Sequence, residues 1–174
     1  MDLSLPIPKK FQGRDALGGK GRECRLQDCL DQFVEEETLD GNNQYYCSRC
    51  KKHQNATKTM KIFRLPPVLV LHMKRFDKKS FSRSKLATTV KFPVQQLDLA
   101  DYTAVESQGQ STVYDLYGIT NHSGSLEGGH YIAHCKNFDD NKWYCYNDSR
   151  VSTVGSEPPV DNSAYLLFYA RVDC

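Results

Sequence analysis

Two stretches in the C-terminal half carry residue types that can do chemistry together. Gly128-Gly129-His130-Tyr131-Ile132-Ala133-His134-Cys135 sets a histidine behind two glycines at the head of an alternating run. Trp143-Tyr144-Cys145-Tyr146-Asn147-Asp148-Ser149-Arg150-Val151 ends an aromatic run on an amide and a carboxylate. Histidine serves as a general base because its reference pKa of about 6.5 lies near the working pH, provided a second group fixes its tautomer. Asn147 or Asp148 can supply that group. The glycines let the backbone pass close to a bound substrate with no Cβ in the way. A hairpin with a Gly-rich turn and a surface histidine is the plainer reading of the first stretch alone, and the second stretch shifts the balance.

A further constellation is Cys47-Ser48-Arg49-Cys50, followed by Lys51-Lys52-His53. Two cysteines at this spacing on a tight turn can share one tetrahedral zinc, but a closed structural site needs two more ligands. Cys24, Cys29 and His53 are the available completions, with Cys29 better used on a helix face. A thioredoxin-type redox pair would want a helix N-terminus in a βαβ setting, which the pattern does not supply. Half a metal site is visible.

The elements that must position these residues follow from periodicity. Leu3, Leu5 and Ile7 alternate before Pro8 and read as a short edge strand. The glycine-rich segment 9–22 has no apolar period and reads as a connection. Leu26, Cys29, Leu30 and Phe33 fall at i, i+3, i+4, i+7, one face of a helix expected to close near Gly41. Its last turn would then carry Glu35, Glu36 and Glu37, an acidic rim suited to a basic ligand or simply a solvated helix end. Val68-Leu69-Val70-Leu71-His72-Met73 is too short for a helix and reads as a buried central strand. Segments 113–121 and 164–172 add strands, the latter closing the sheet, and 122–129 is a glycine-rich turn into the His130 strand. The expectation is an α+β domain, a mostly antiparallel sheet with one clear helix.

Composition narrows the function classes. At 174 residues, 39% hydrophobic and 25% charged, the chain has the makings of one domain with a real core. A net charge of +2 gives no strong case for nucleic acid. The Lys and Arg residues between Arg49 and Lys91, against the single acid Asp77, form a basic face read as solvated surface. Seven cysteines, an odd count with no signal segment, point to a reducing intracellular compartment, cytoplasmic or nuclear. No apolar run approaches the roughly 20 residues that span a bilayer, so no membrane is expected.

In order and spacing, YYCSRCKKHQNATK, LPPVLVLHMKRF, KFPVQQLDL, YDLYGITNHSGSLEGGHYIAHCKN, WYCYNDSRV and AYLLFYA resemble the second half of the catalytic domain of the ubiquitin-specific proteases. These are papain-like cysteine deubiquitinases. The resemblance implies their fold, with residues 1–174 as the palm and part of the fingers. It makes His130 the general base, Asn147 the orienting third member of the triad, and Asp148 a support beside it. It makes Cys47 and Cys50 the second pair of a four-cysteine zinc site, and implies no cofactor for catalysis. Ser123, Gly124, Gly128 and Gly129 would belong to a loop covering the ubiquitin tail, with the basic segment 78–85 as its counterpart. Ubiquitin or ubiquitinated proteins are the implied partners.

The chain departs from the family pattern at its N-terminal side. The nucleophilic cysteine, the oxyanion-hole residue and the first C-x-x-C belong to a thumb that precedes the Leu3 strand in the family, and none has a counterpart here. Cys135, five residues from His130 on one strand, points to the opposite face. The expectation is a partial domain that holds the base without the nucleophile and hydrolyses ubiquitin's C-terminal linkage only as part of a whole. The alternative is a non-catalytic ubiquitin-binding module that retains the palm surface.

Overall fold

A computed structural model describes residues 2–12, 23–76, 85–104, 109–125 and 127–174. The expected loop function of segment 78–85 and the connection at 13–22 therefore lie almost wholly outside the described residues. In chain order the strands are β1 (Asp2–Pro6), β2 (Glu23–Arg25), β3 (Glu37–Leu39), β4 (Tyr45–Cys47), β5 (Lys52–Gln54), β6 (Ala56–Lys58), β7 (Val68–Lys74) and β8 (Thr89–Lys91). They continue as β9 (Leu97–Asp98), β10 (Val113–Gly124), β11 (Gly129–Lys136), β12 (Trp143–Asn147), β13 (Arg150–Gly155) and β14 (Ala164–Arg171). The helix α1 is Leu26–Val34.

The main sheet runs β1-β7-β14-β10-β11-β12-β13, with β9 beside β10. Its register aligns Leu3, Leu71, Leu167, Ile119, His134 and Cys145 in one row across the strands. All but Cys145 are buried, so this row lies on the core face. Residues at i and i−2 on a strand share a face, which carries the same face from His134 through Ile132 to His130 at the rim. The catalytic candidate thus stands where the packed face of the sheet meets solvent.

The sheet is mostly antiparallel, as expected, with β1 parallel to β7 in the main sheet and β2 parallel to β8 in a separate pair. Three expectations are corrected. β14 lies between β7 and β10 in the middle of the sheet, not at its close. β7 is fully buried on one face only: Leu69, Leu71 and Met73 are buried, while on the other face Val70 and His72 are half-buried and Val68 is exposed. The helix ends at Val34 because Glu35 turns extended at ψ 137°, and Glu37 already belongs to β3, where it meets Lys58 at 3.5 Å. Glu35 caps the helix and Glu36 and Glu37 lie beyond it, so the three glutamates do not form its last turn.

The basic face also contains a core residue. Arg75 is 0% exposed and its guanidinium donates to the carbonyls of Ala164 at 2.7 Å, Leu86 at 3.1 Å and Thr88 at 2.7 Å. It ties the start of β14 to the segment entering β8. Burial pulls its pKa down to about 10, so it stays charged at neutral pH. Among the described residues no helix is long and apolar enough to cross a membrane.

Candidate active site

Three adjacent strands build the site. β10 and β11 pair down to Ser123↔His130 and Gly124↔Gly129, and Ser125 N–H donates to the Gly128 carbonyl at 2.8 Å to shape the connection. Most of the supposed Gly-rich loop is therefore hairpin: Ser123 and Gly124 end β10, Gly129 opens β11, and only Gly128 of the four lies in the turn. Gly124 needs to be glycine, since its φ of +111° is left-handed and an added Cβ would come within 2.6 Å of the Gly128 oxygen. Gly129 needs it for a different reason: a Cβ there would fall 2.4 Å from the Ser123 carbonyl and 2.1 Å from the His122 ring.

β12 and β13 form the second hairpin, with Asn147 paired to Arg150 across the turn. Asp148 adopts φ +50° in that turn, a conformation that aspartate tolerates better than most residues. β12 also pairs with β11, which places Asn147 on the face that carries His130. His130 Nε2 and Asn147 Oδ1 are 2.7 Å apart. An amide oxygen only accepts, so Nε2 carries the proton and the Nδ1 lone pair is left available as a base. Asp148, exposed in the turn, makes no hydrogen bond to His130 among the described residues.

Behind this pair lies a polar chain that periodicity did not reveal. His134, buried on the same face, shares a 2.8 Å hydrogen bond between its Nδ1 and Asn121 Oδ1. Asn121 Nδ2 donates to Ser163 Oγ at 2.8 Å, and Ser163 Oγ donates to Asp161 at 2.5 Å. Burial keeps the His134 pKa below the usual range. The sequence signal for it was there, a histidine in the apolar alternation of β11, but nothing local named its partner.

The cysteines fall into separate places. Cys135 faces away from His130, and burial pushes its thiol pKa up. Cys145 is on the same face but pairs with His134, four residues or roughly 13 Å along the strand from His130. Cys24 and Cys29 are buried together with sulfurs 3.9 Å apart, so they are core residues and not completions of a metal site. Their shared hydrogen bond lowers the Cys24 pKa and raises that of Cys29.

Cys47 ends β4 and Cys50 sits in the turn before β5, with the Cys50 N–H 3.5 Å from Cys47 Sγ. That contact lowers the Cys47 pKa, as a metal ligand or reactive thiol would want. His53 turns elsewhere, its Nδ1 3.4 Å from the Gln44 carbonyl and its ring edge-on to Tyr46. Among the described residues no third His, Cys, Asp or Glu joins the two thiols. Two donors do not fit a closed tetrahedral zinc site.

Comparison with known proteins places this geometry in a family. The ubiquitin carboxyl-terminal hydrolase model matches residues 33–169. Ubiquitin carboxyl-terminal hydrolase 2 of Gallus gallus is 44% identical over 168 residues, covering 97% of this chain and 44% of the relative. Ubiquitin carboxyl-terminal hydrolase 12 of Saccharomyces cerevisiae is 43% identical over 152 residues, covering 87% of this chain and 12% of the relative. The SAGA Ubp8/Sgf11/Sus1/Sgf73 DUB module bound to ubiquitin aldehyde matches with TM-score 0.73 and 35% identity over 98% of this chain and 35% of that one. A second structure of the module, bound to monoubiquitin, matches with TM-score 0.74. The chain belongs to the ubiquitin carboxyl-terminal hydrolase family and has the ubiquitin-specific protease fold. It spans less than half the length of these relatives.

Proposed function

We propose that this chain supplies the base and its orienter to a thiol-dependent deubiquitinase, which hydrolyses the peptide or isopeptide bond after ubiquitin's C-terminal glycine. The observation that carries the reading is the 2.7 Å contact between His130 Nε2 and Asn147 Oδ1 in a chain of this family. His130 Nδ1 takes the proton from a cysteine thiol as sulfur attacks the glycine carbonyl. The imidazolium then returns the proton to the leaving amine, and a water deprotonated by the same nitrogen releases the acyl group. Asn147 holds the ring throughout. Asp148, at the turn, supports the hairpin that presents Asn147.

The attacking thiol and the oxyanion donors come from outside these 174 residues in this reading. It is supported by Cys145 lying roughly 13 Å from His130 along the sheet and by Cys135 facing the other way. The chain alone is then inactive. Ubiquitin is the proposed partner, in keeping with structural neighbours bound to ubiquitin aldehyde and monoubiquitin. The Ser123–Gly129 hairpin end is the proposed cover for the ubiquitin tail. Cys47 and Cys50 would hold zinc only with a second pair of donors from elsewhere, and an intracellular setting, cytoplasmic or nuclear, accords with the free cysteines.

The test is cleavage of a ubiquitin–fluorophore amide. The isolated chain should release no fluorophore, and the protein with the preceding thumb segment should do so in a manner lost on His130→Ala. Turnover by the chain alone that disappears on mutating one of its seven cysteines would overturn the division of labour.

A further inference from the structure

His122 is a buried titratable group that the reaction does not use. Its ring fills the space beneath Gly129: an added Cβ at 129 would lie 2.1 Å from His122 Nε2 and 2.8 Å from Cε1. The strand register sets His122 against Tyr131, directly beside the Ser123↔His130 pair. The imidazole is 3% exposed and enclosed by Tyr131, Phe76 and Tyr165, with ring centroids 4.7, 5.6 and 5.9 Å away. Its Nδ1 is buried with no hydrogen-bond partner among the described residues.

Two consequences follow from this packing. The ring is the surface on which the Gly129 backbone rests, and Gly129 is the residue that delivers His130 to β11. The enclosure also disfavours the imidazolium. Among the described residues the groups facing the ring are Phe76, Tyr131 and Tyr165, and the Lys85 ammonium donates to the His122 carbonyl. No carboxylate among the described residues hydrogen-bonds it. Burial first, and the Lys85 charge second, hold its pKa below the usual histidine range.

We propose that His122 is a positioning residue for His130: its neutral ring, seated against Gly129, holds the start of β11 so that His130 Nε2 meets Asn147 Oδ1, and a proton on His122 releases that seat. The effect on turnover rests on the deubiquitinase reading. The coupling of the two histidines does not.

The experiment follows the ring nitrogens of His122 and His130 by ¹⁵N NMR in this chain, from about pH 8 to about pH 5. Protonated His130 still carries hydrogen on Nε2, so its own titration does not remove the bond to Asn147. In the wild type, the hydrogen-bonded His130 Nε2–H signal should be lost with the midpoint at which His122 takes up its proton. His122→Gln, which cannot titrate, should keep the signal over the whole range, and His122→Ala should lose it at neutral pH. The proposal is overturned if the signal persists in a folded His122→Ala chain. It is equally overturned if the wild-type loss ignores the His122 midpoint, or if His122→Gln loses the signal on acidification. In the complete protein, His122→Ala should lower kcat about 10- to 100-fold with little change in KM, and His122→Gln should recover most of it. A wild-type protein without activity would count against the deubiquitinase reading while leaving the NMR result to decide the coupling.

Discussion

Asn147 Oδ1 lies 2.7 Å from His130 Nε2, although 17 residues separate them in the chain. The contact is made by sheet register: one step beyond the Ala133↔Tyr146 pair, Asn147 lies level with Ile132, two residues from His130 on the same face of β11. The orienter is therefore as rigid as the strand pairing that presents it. Asn147 in turn is braced by the turn through Asp148 to Arg150.

Replacing Asn147 by Ala removes the acceptor that selects the Nε2–H tautomer. Activity of the complete enzyme should fall about 10²- to 10⁴-fold, with KM little changed. Asn147→Asp keeps an acceptor at the same distance and should retain most activity. Steady-state kinetics on the ubiquitin–fluorophore amide distinguishes the two.

The two glycines before His130 should respond very differently to alanine. Nothing lies within 4 Å of a Cβ at Gly128, whereas one at Gly129 meets the Ser123 carbonyl at 2.4 Å and His122 Nε2 at 2.1 Å. Gly129→Ala should cost about 1–3 kcal/mol in urea unfolding, and Gly128→Ala less than about 0.5 kcal/mol. Because the Ser123 contact is backbone, His122→Ala should not rescue Gly129→Ala.

Arg75 donates to three carbonyls from inside the core. Arg75→Ala leaves those acceptors and a cavity behind, and should destabilise the fold by about 3–5 kcal/mol. Arg75→Lys should not recover this, since an ammonium cannot reproduce the planar spread of donors. Chemical denaturation of the purified variants is the check.

Stability should fall on mild acidification. His72, His122 and His134 all have folded pKa values below the reference of 6.5, chiefly through burial. Above that reference both states are neutral and the full stability is present. As pH drops below it the unfolded chain binds protons first, so stability is lost through the folded pKa values. The urea midpoint should be lower near pH 5.5 than near pH 7.5, and His134→Asn should flatten that dependence.

Much of the site was legible because its signals are local. The i, i+3, i+4 positions of α1 and the strand at β10 describe real buried faces, and residue type offered His130 with Asn147 or Asp148, of which the 2.7 Å contact falls to Asn147. What was not legible depends on pairing between distant segments. The parallel β1–β7 contact and the central place of β14 cannot be seen in a period-2 pattern, which is the same at an edge and in the middle. Arg75 looked like its surface neighbours because its acceptors lie 11 to 89 residues away. The expected helix runs past Val34 because Glu35, Glu36 and Glu37 include no Gly or Pro to mark a stop, and Leu39 belongs to β3 instead. Glu37 is explained by Lys58, a cross-strand partner, not by a helix end.

The central claim is that His130, oriented by Asn147, activates a thiol that this chain does not contain. A ubiquitin carrying an electrophile at its C-terminus, reacted with the complete protein and mapped by peptide mass spectrometry, tests it directly. The expected adduct is on a cysteine outside these 174 residues, formed by the wild type and lost in His130→Ala. An adduct on Cys135, Cys145 or any other of the seven cysteines, or one formed equally well without His130, would contradict the account.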